Sequence, residues 1–168
     1  SLEHAEERGA KIYAELAGVG MAGSTEGLLR YDRDGDSIAQ AMSLAAKEPS
    51  QVDAISAAAN STHDLDRAET LAIKKVFRER AKEISVSSLK SMLGEFDGSG
   101  GIRACGIVLS LYHKMIPPTI GTEQLDPECD LDYTLQQSRK REIRSAIVND
   151  CSNGGSNISL WFKRYQSG

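Results

Sequence analysis

Apolar and polar residues alternate along this chain with two different periods. From residue 11 to 18, Ile12, Ala14 and Leu16 alternate with Lys11, Tyr13 and Glu15, which is strand spacing. A loop rich in Gly, Asp and Arg follows over 22–36. Asp36 or Ser37 then caps a predicted helix with Ile38, Ala41, Met42 and Ala45 on one face, ended by Pro49. Residues 52–59 form a short apolar run, read as a buried strand. Asp64 or Asp66 opens a second helix with Ala68, Leu71, Ala72 and Val76 inward, and 84–88 read as a third strand.

The second half changes character. Gly98-Ser99-Gly100-Gly101 precedes a predicted helix from Ile102 to about Lys114. It is apolar on nearly every face and so expected to be buried on all sides. Pro117-Pro118 stops it. Residues 119–138 read as an extended loop with acidic turns. Two final strands, 145–149 and 158–165, flank a hairpin turn at Asn153-Gly154-Gly155. The order β-α-β-α-β-α-β-β predicts an α/β layered domain, a mixed sheet with helices on both faces.

Composition narrows the function classes. The 168 residues suit one domain with its own core. A net charge of −4 gives no electrostatic footprint for nucleic acid or an anionic membrane. No run approaches bilayer-spanning length; the longest apolar stretch, 102–112, is broken by Arg103, Gly106 and Ser110. Glu3, Glu6, Glu7 and Arg8 make the first residues unlike a signal peptide. The three cysteines, Cys105, Cys129 and Cys151, fit neither a zinc spacing nor a disulfide framework, and a reducing cytoplasm is the expected setting.

Local motifs yield modest chemistry. Asp32-Arg33-Asp34-Gly35-Asp36 has the look of a calcium loop. Its glycine comes one residue early, and Ser43 stands where a bidentate glutamate is needed, so a solvated loop with a helix cap fits better. Gly98-Ser99-Gly100-Gly101 lacks a following Gly-Lys-Ser/Thr and reads as tight packing rather than a phosphate cradle. His4, His63 and His113 read as surface, loop or helix residues. Cys105 reads as a core residue of the apolar helix. No metal site and no cofactor are implied.

Several motifs in order carry a family resemblance. Lys90-Ser91-Met92-Leu93-Gly94-Glu95 resembles the Lys-Ser-Met-Thr-Gly-His segment of β-ketoacyl-acyl-carrier-protein synthases, the condensing enzymes of fatty-acid and polyketide assembly. Asp66-Arg67-Ala68-Glu69-Thr70-Leu71 resembles that family's Ala-Glu-Thr helix. Residues 116–119 with 126–133, and Gly154-Gly155 with Asn157, Ser159 and Leu160, resemble its later signatures. The resemblance implies the C-terminal half of a thiolase-like fold over residues 1–168. The half that would carry the nucleophilic cysteine lies outside these residues.

The resemblance also implies what has been lost. The family uses two histidines as donors to the malonyl thioester as enolate charge develops. At those positions stand Ala58, in Ala58-Ala59-Asn60-Ser61-Thr62, and Glu95. An ionised carboxylate only accepts hydrogen bonds, and it donates only if burial keeps it protonated. The family's gating phenylalanines are replaced by Cys151 and Asn153; nothing nearby in sequence would lower the Cys151 pKa. Lys90 and Glu69 match family positions near the centre, and a buried pair between them would explain both. These departures resemble the chain-length-factor subunits, which lack catalysis, pair with an active ketosynthase subunit and handle chains on acyl carrier protein. An active acyltransferase with a nonstandard catalytic set and an upstream cysteine is the alternative. A structural partner unrelated to acyl chains is the third reading. In all three, an exposed apolar surface is expected where the other half would pack.

Overall fold

The computed structural model describes residues 1–27, 30–96, 98–152 and 154–165. A short helix α1 (Leu2–Glu7) leads into β1 (Ala14–Gly23). There follow α2 (Asp36–Ala45), β2 (Val52–Ser56), α3 (His63–Phe77), β3 (Ser85–Ser87), α4 (Lys90–Leu93) and α5 (Ser99–His113). Three two-residue strands, β4 (Met115–Ile116), β5 (Asp132–Tyr133) and β6 (Arg139–Lys140), precede β7 (Ser145–Cys151) and β8 (Ser156–Arg164). No helix among the described residues is long and apolar enough to cross a membrane.

The main sheet has the order β1-β8-β7-β2-β3-β5. Its β7-β2-β3-β5 part is parallel, and β8 runs antiparallel to both β7 and β1. The predicted mixed α/β layering is therefore present. Alternation along β7 and β8 sorts side chains to two cores. Ile147 and Trp161 join Ile38, Met42, Leu65 and Ile73 on the side of α2 and α3. Ala146, Val148 and Phe162 join Ile107 and Leu111 of α5 on the other side. Each fully buried Ile, Leu or Met contributes about 1.5–3 kcal/mol relative to exposure.

The loop before α2 is closed by Asp32. Asp32 Oδ2 accepts from the Ser37 backbone N–H at 2.7 Å and its hydroxyl at 2.9 Å, while Oδ1 accepts from the Asp34 N–H at 3.2 Å. The expected cap is corrected: the N-cap position is Gly35, with φ 70° and no side chain to offer, Asp36 is already in the helix, and it is Asp32 that receives the Ser37 groups.

Two expectations are corrected. The α5 helix is not buried on all sides: Arg103, Ile107 and Leu111 face inward, but Ile102, Leu109 and Tyr112 are 40–47% exposed. Cys105 shares that outer face and is exposed. Apolar composition alone cannot reveal whether a neighbour covers the second face. Boundaries also shift. The first strand runs over Ala14–Gly23 rather than 11–18, and α2 ends at Ala45, with Pro49 starting a 3-10 turn.

An apolar surface is exposed as expected. Leu16, Val19 and Met21 pair across the ladder with Phe162, Leu160 and Ile158, which places them on the α5 side of the sheet. They are 53%, 51% and 63% exposed, and with Ile102, Leu109 and Tyr112 they make that side apolar.

Candidate functional site

The ends of β2 and β3 open into a cleft of about 570 Å³. Ala59, Asn60, Ser61, Lys90, Glu95 and the 119–126 segment are among its walls. This is the end of the parallel strands where α/β sheets commonly place their sites.

Glu95 reaches the cleft through a local device. Gly94 ends α4 with φ 85°, a conformation that suits glycine, and its N–H closes on the Lys90 carbonyl at 2.9 Å. The chain thereby turns Glu95 back over Lys90. Lys90 Nζ donates to Glu95 Oε1 at 2.7 Å, and Asn60 Nδ2 donates to Oε2 at 2.8 Å. The lysine side chain is 4% exposed and the glutamate 48%. Partial burial pushes the Glu95 carboxyl up, but the hydrogen bonds from Lys90 and Asn60 outweigh it and hold the group below the usual glutamate value. At neutral pH Glu95 is an ionised acceptor with its donors already in place.

Ala58 is completely buried just past the end of β2 and offers only backbone. The Ala58 N–H donates to Glu69 Oε1 and the Ala59 N–H to Glu69 Oε2, both at 2.9 Å. Asn149 Nδ2 also donates to Oε1 at 2.9 Å. Glu69 is thus a bracket for the strand end rather than a partner of Lys90. The expected Lys90–Glu69 pair is corrected: Lys90 takes Glu95, and Glu69 takes three N–H groups. Burial raises the Glu69 pKa, with the Ala58, Asn149 and Ala59 donors pulling against it.

Arg103 braces the same strand ends from α5. Its Nη1 donates to the Ala57 carbonyl at 3.1 Å and the Asn149 carbonyl at 2.7 Å, and its Nη2 pairs with Asp150. Its side chain is fully buried. Sequence reasoning missed Arg103, Asn149 and Asn60. A lone arginine inside an apolar helix was the available signal for the first. Nothing in the spacing marked the two asparagines.

The remaining candidates fall as follows. Cys151 is buried at the end of β7, and burial first, then the charges of Glu69 and Asp150, pushes its thiol well above the ordinary range. Asn153 lies outside the described residues. The expected tight packing of the glycine run holds at Gly100 alone, where an added Cβ would sit 2.8 Å from the Asp150 carboxylate; at Gly98 and Gly101 it would meet nothing within 4 Å. Cys129 is buried, and burial raises its pKa. His63 begins α3 in an exposed position, as expected. His4 lies in α1 and His113 ends α5.

Known proteins place this architecture. The family described as "Beta-ketoacyl synthase, C-terminal domain" matches residues 13–123. The 3-oxoacyl-[acyl-carrier-protein] synthase 2 of Synechocystis sp. is 42% identical over 98% of this chain and 41% of its own length. Among solved structures, the ishigamide ketosynthase/chain length factor superposes with a TM-score of 0.92 at 30% identity, over 99% of this chain and 41% of that one. AntDE:AntF, a type II polyketide synthase acyl-carrier protein in complex with its ketosynthase bound to the hexaketide, superposes with a TM-score of 0.95 at 33% identity. That match covers 99% of this chain and 42% of that one. The chain therefore spans about two fifths of the length of these relatives. Fold, motif order and family match agree: this chain belongs to the β-ketoacyl synthase family, as a C-terminal domain with the thiolase-like fold.

Proposed function

We propose that the protein containing this domain has given up decarboxylative condensation. It acts as a chain-length-factor-like subunit of fatty-acid or polyketide assembly. The observation that carries this reading is the state of Glu95. Enolate formation from a malonyl thioester develops negative charge, and preorganised donors stabilise it. Here one donor position is the buried Ala58, and the other is an ionised carboxylate held by Lys90 and Asn60. A carboxylate beside a forming enolate opposes the reaction.

The partners in this reading are an active ketosynthase subunit and an acyl carrier protein. Two structural neighbours support it, one a ketosynthase/chain length factor and one a ketosynthase complexed with its acyl-carrier protein. The preserved cleft and bracketed strand ends are consistent with a domain that keeps its shape while losing its chemistry.

The test is carbon dioxide release from malonyl-carrier protein by the full-length protein alone. The expected result is release at background level, with turnover and a defined product length appearing only when a partner ketosynthase is added. Release by the protein alone, together with a cysteine at the upstream nucleophile position, would instead identify an acyltransferase with a nonstandard catalytic set.

A further inference from the structure

At one corner of the cleft, three side chains from two segments converge on one point. His63 Nε2 lies 3.5 Å from Asp126 Oδ2 and 3.4 Å from Glu128 Oε2. The three ligand atoms are all within 4.8 Å of one another. In each carboxylate the second oxygen is already tied. Asp126 Oδ1 accepts from the Glu128 N–H at 2.8 Å, and Glu128 Oε1 accepts from Arg67 Nε at 2.7 Å. The free oxygen of each faces the same imidazole nitrogen. On the other side of the ring, Asp64 Oδ1 stands 3.7 Å from Nδ1.

An imidazolium ion pair accounts poorly for this arrangement. Nε2 carries at most one hydrogen, yet two carboxylate oxygens stand nearly equidistant from it, both beyond the usual hydrogen-bond range of about 2.7–3.2 Å. Ligands at about 2.1 Å from a tetrahedral metal are about 3.4 Å apart, which matches both separations. Anchored outer oxygens are the kind of support that metal ligands receive.

We propose that His63, Asp126 and Glu128 bind a divalent transition-metal ion of the zinc type, water completing its shell, and so clamp the start of α3 to the 126–128 segment. One imidazole with two carboxylates suits zinc, cobalt or nickel better than the all-oxygen preference of calcium or magnesium. The clamp is independent of whether the protein decarboxylates malonyl groups.

The test is calorimetric titration of the full-length protein with zinc chloride. Cys105→Ser is introduced in every sample so that the exposed thiol does not compete. The expected result is one saturable equivalent that raises the unfolding temperature and is reversed by EDTA. Binding should weaken about tenfold or more in His63→Ala and in Glu128→Gln. Because these side chains are 60% and 51% exposed, the variants are expected to fold, which circular dichroism checks. No saturable binding, or equal affinity in His63→Ala, would overturn the proposal and leave a plain ion pair.

Discussion

Lys90 and Glu95 form an unequal pair: the ammonium is enclosed and the carboxylate half open. Removing the carboxylate leaves a buried cation with less to satisfy it, yet solvent screening at Glu95 keeps the cost of Glu95→Gln to about 1 kcal/mol. Folding lowers the Glu95 pKa, so the unfolded chain binds more protons in acid. The pair's contribution is therefore complete above the ordinary glutamate value of 4.5 and fades as pH falls through the lower folded value. Urea unfolding of wild type and Glu95→Gln is expected to differ most near neutrality and to converge in acid; a difference independent of pH would contradict this. Glu69→Gln is expected to be worse, by about 1–3 kcal/mol, because an amide cannot accept from both N–H groups now served by two oxygens. Motif order singled out Glu95 in the sequence, and the structure places it at the cleft. The pairing of Lys90 was not legible, since only the turn at Gly94 decides that Glu95 rather than Glu69 meets it.

Among the elements, β1 and α2 meet at their smallest residues. A Cβ added at Gly20 would lie 2.0 Å from the Ala41 carbonyl oxygen, and one at Gly18 would lie 2.1 Å from that of Ala45. Gly20→Ala therefore has to push strand and helix apart, and a loss of about 3 kcal/mol in denaturant unfolding is expected. Helices α2 and α3 were legible because one apolar stripe meets one core. The α5 helix was misread because its outer stripe is as apolar as its inner one, and only the fold shows which side the sheet covers. Strands β4, β5 and β6 escaped notice because two residues are too few to show a period. Their pairing comes from the main sheet and from each other.

At the scale of the whole molecule, the apolar side formed by Leu16, Val19, Met21, Ile102, Leu109 and Tyr112 is larger than isolated exposed residues would make. The 168 residues expressed alone are expected to self-associate in sedimentation experiments, and charged replacements at Val19 and Ile102 to reduce it; a monodisperse monomer would contradict this. The β1–β8 ladder has a different consequence, one of timing. It joins the first long strand of the chain to the last, and among the described residues β8 alone links β1 to the rest of the sheet. Within this chain β1 meets its sheet partner only once Ser156–Arg164 has been made. Such distant pairing slows folding and prolongs exposure to aggregation. Pulse-labelled hydrogen exchange on these 168 residues should find the β1 amides protected late and together with those of β8; early protection of β1 alone would contradict this.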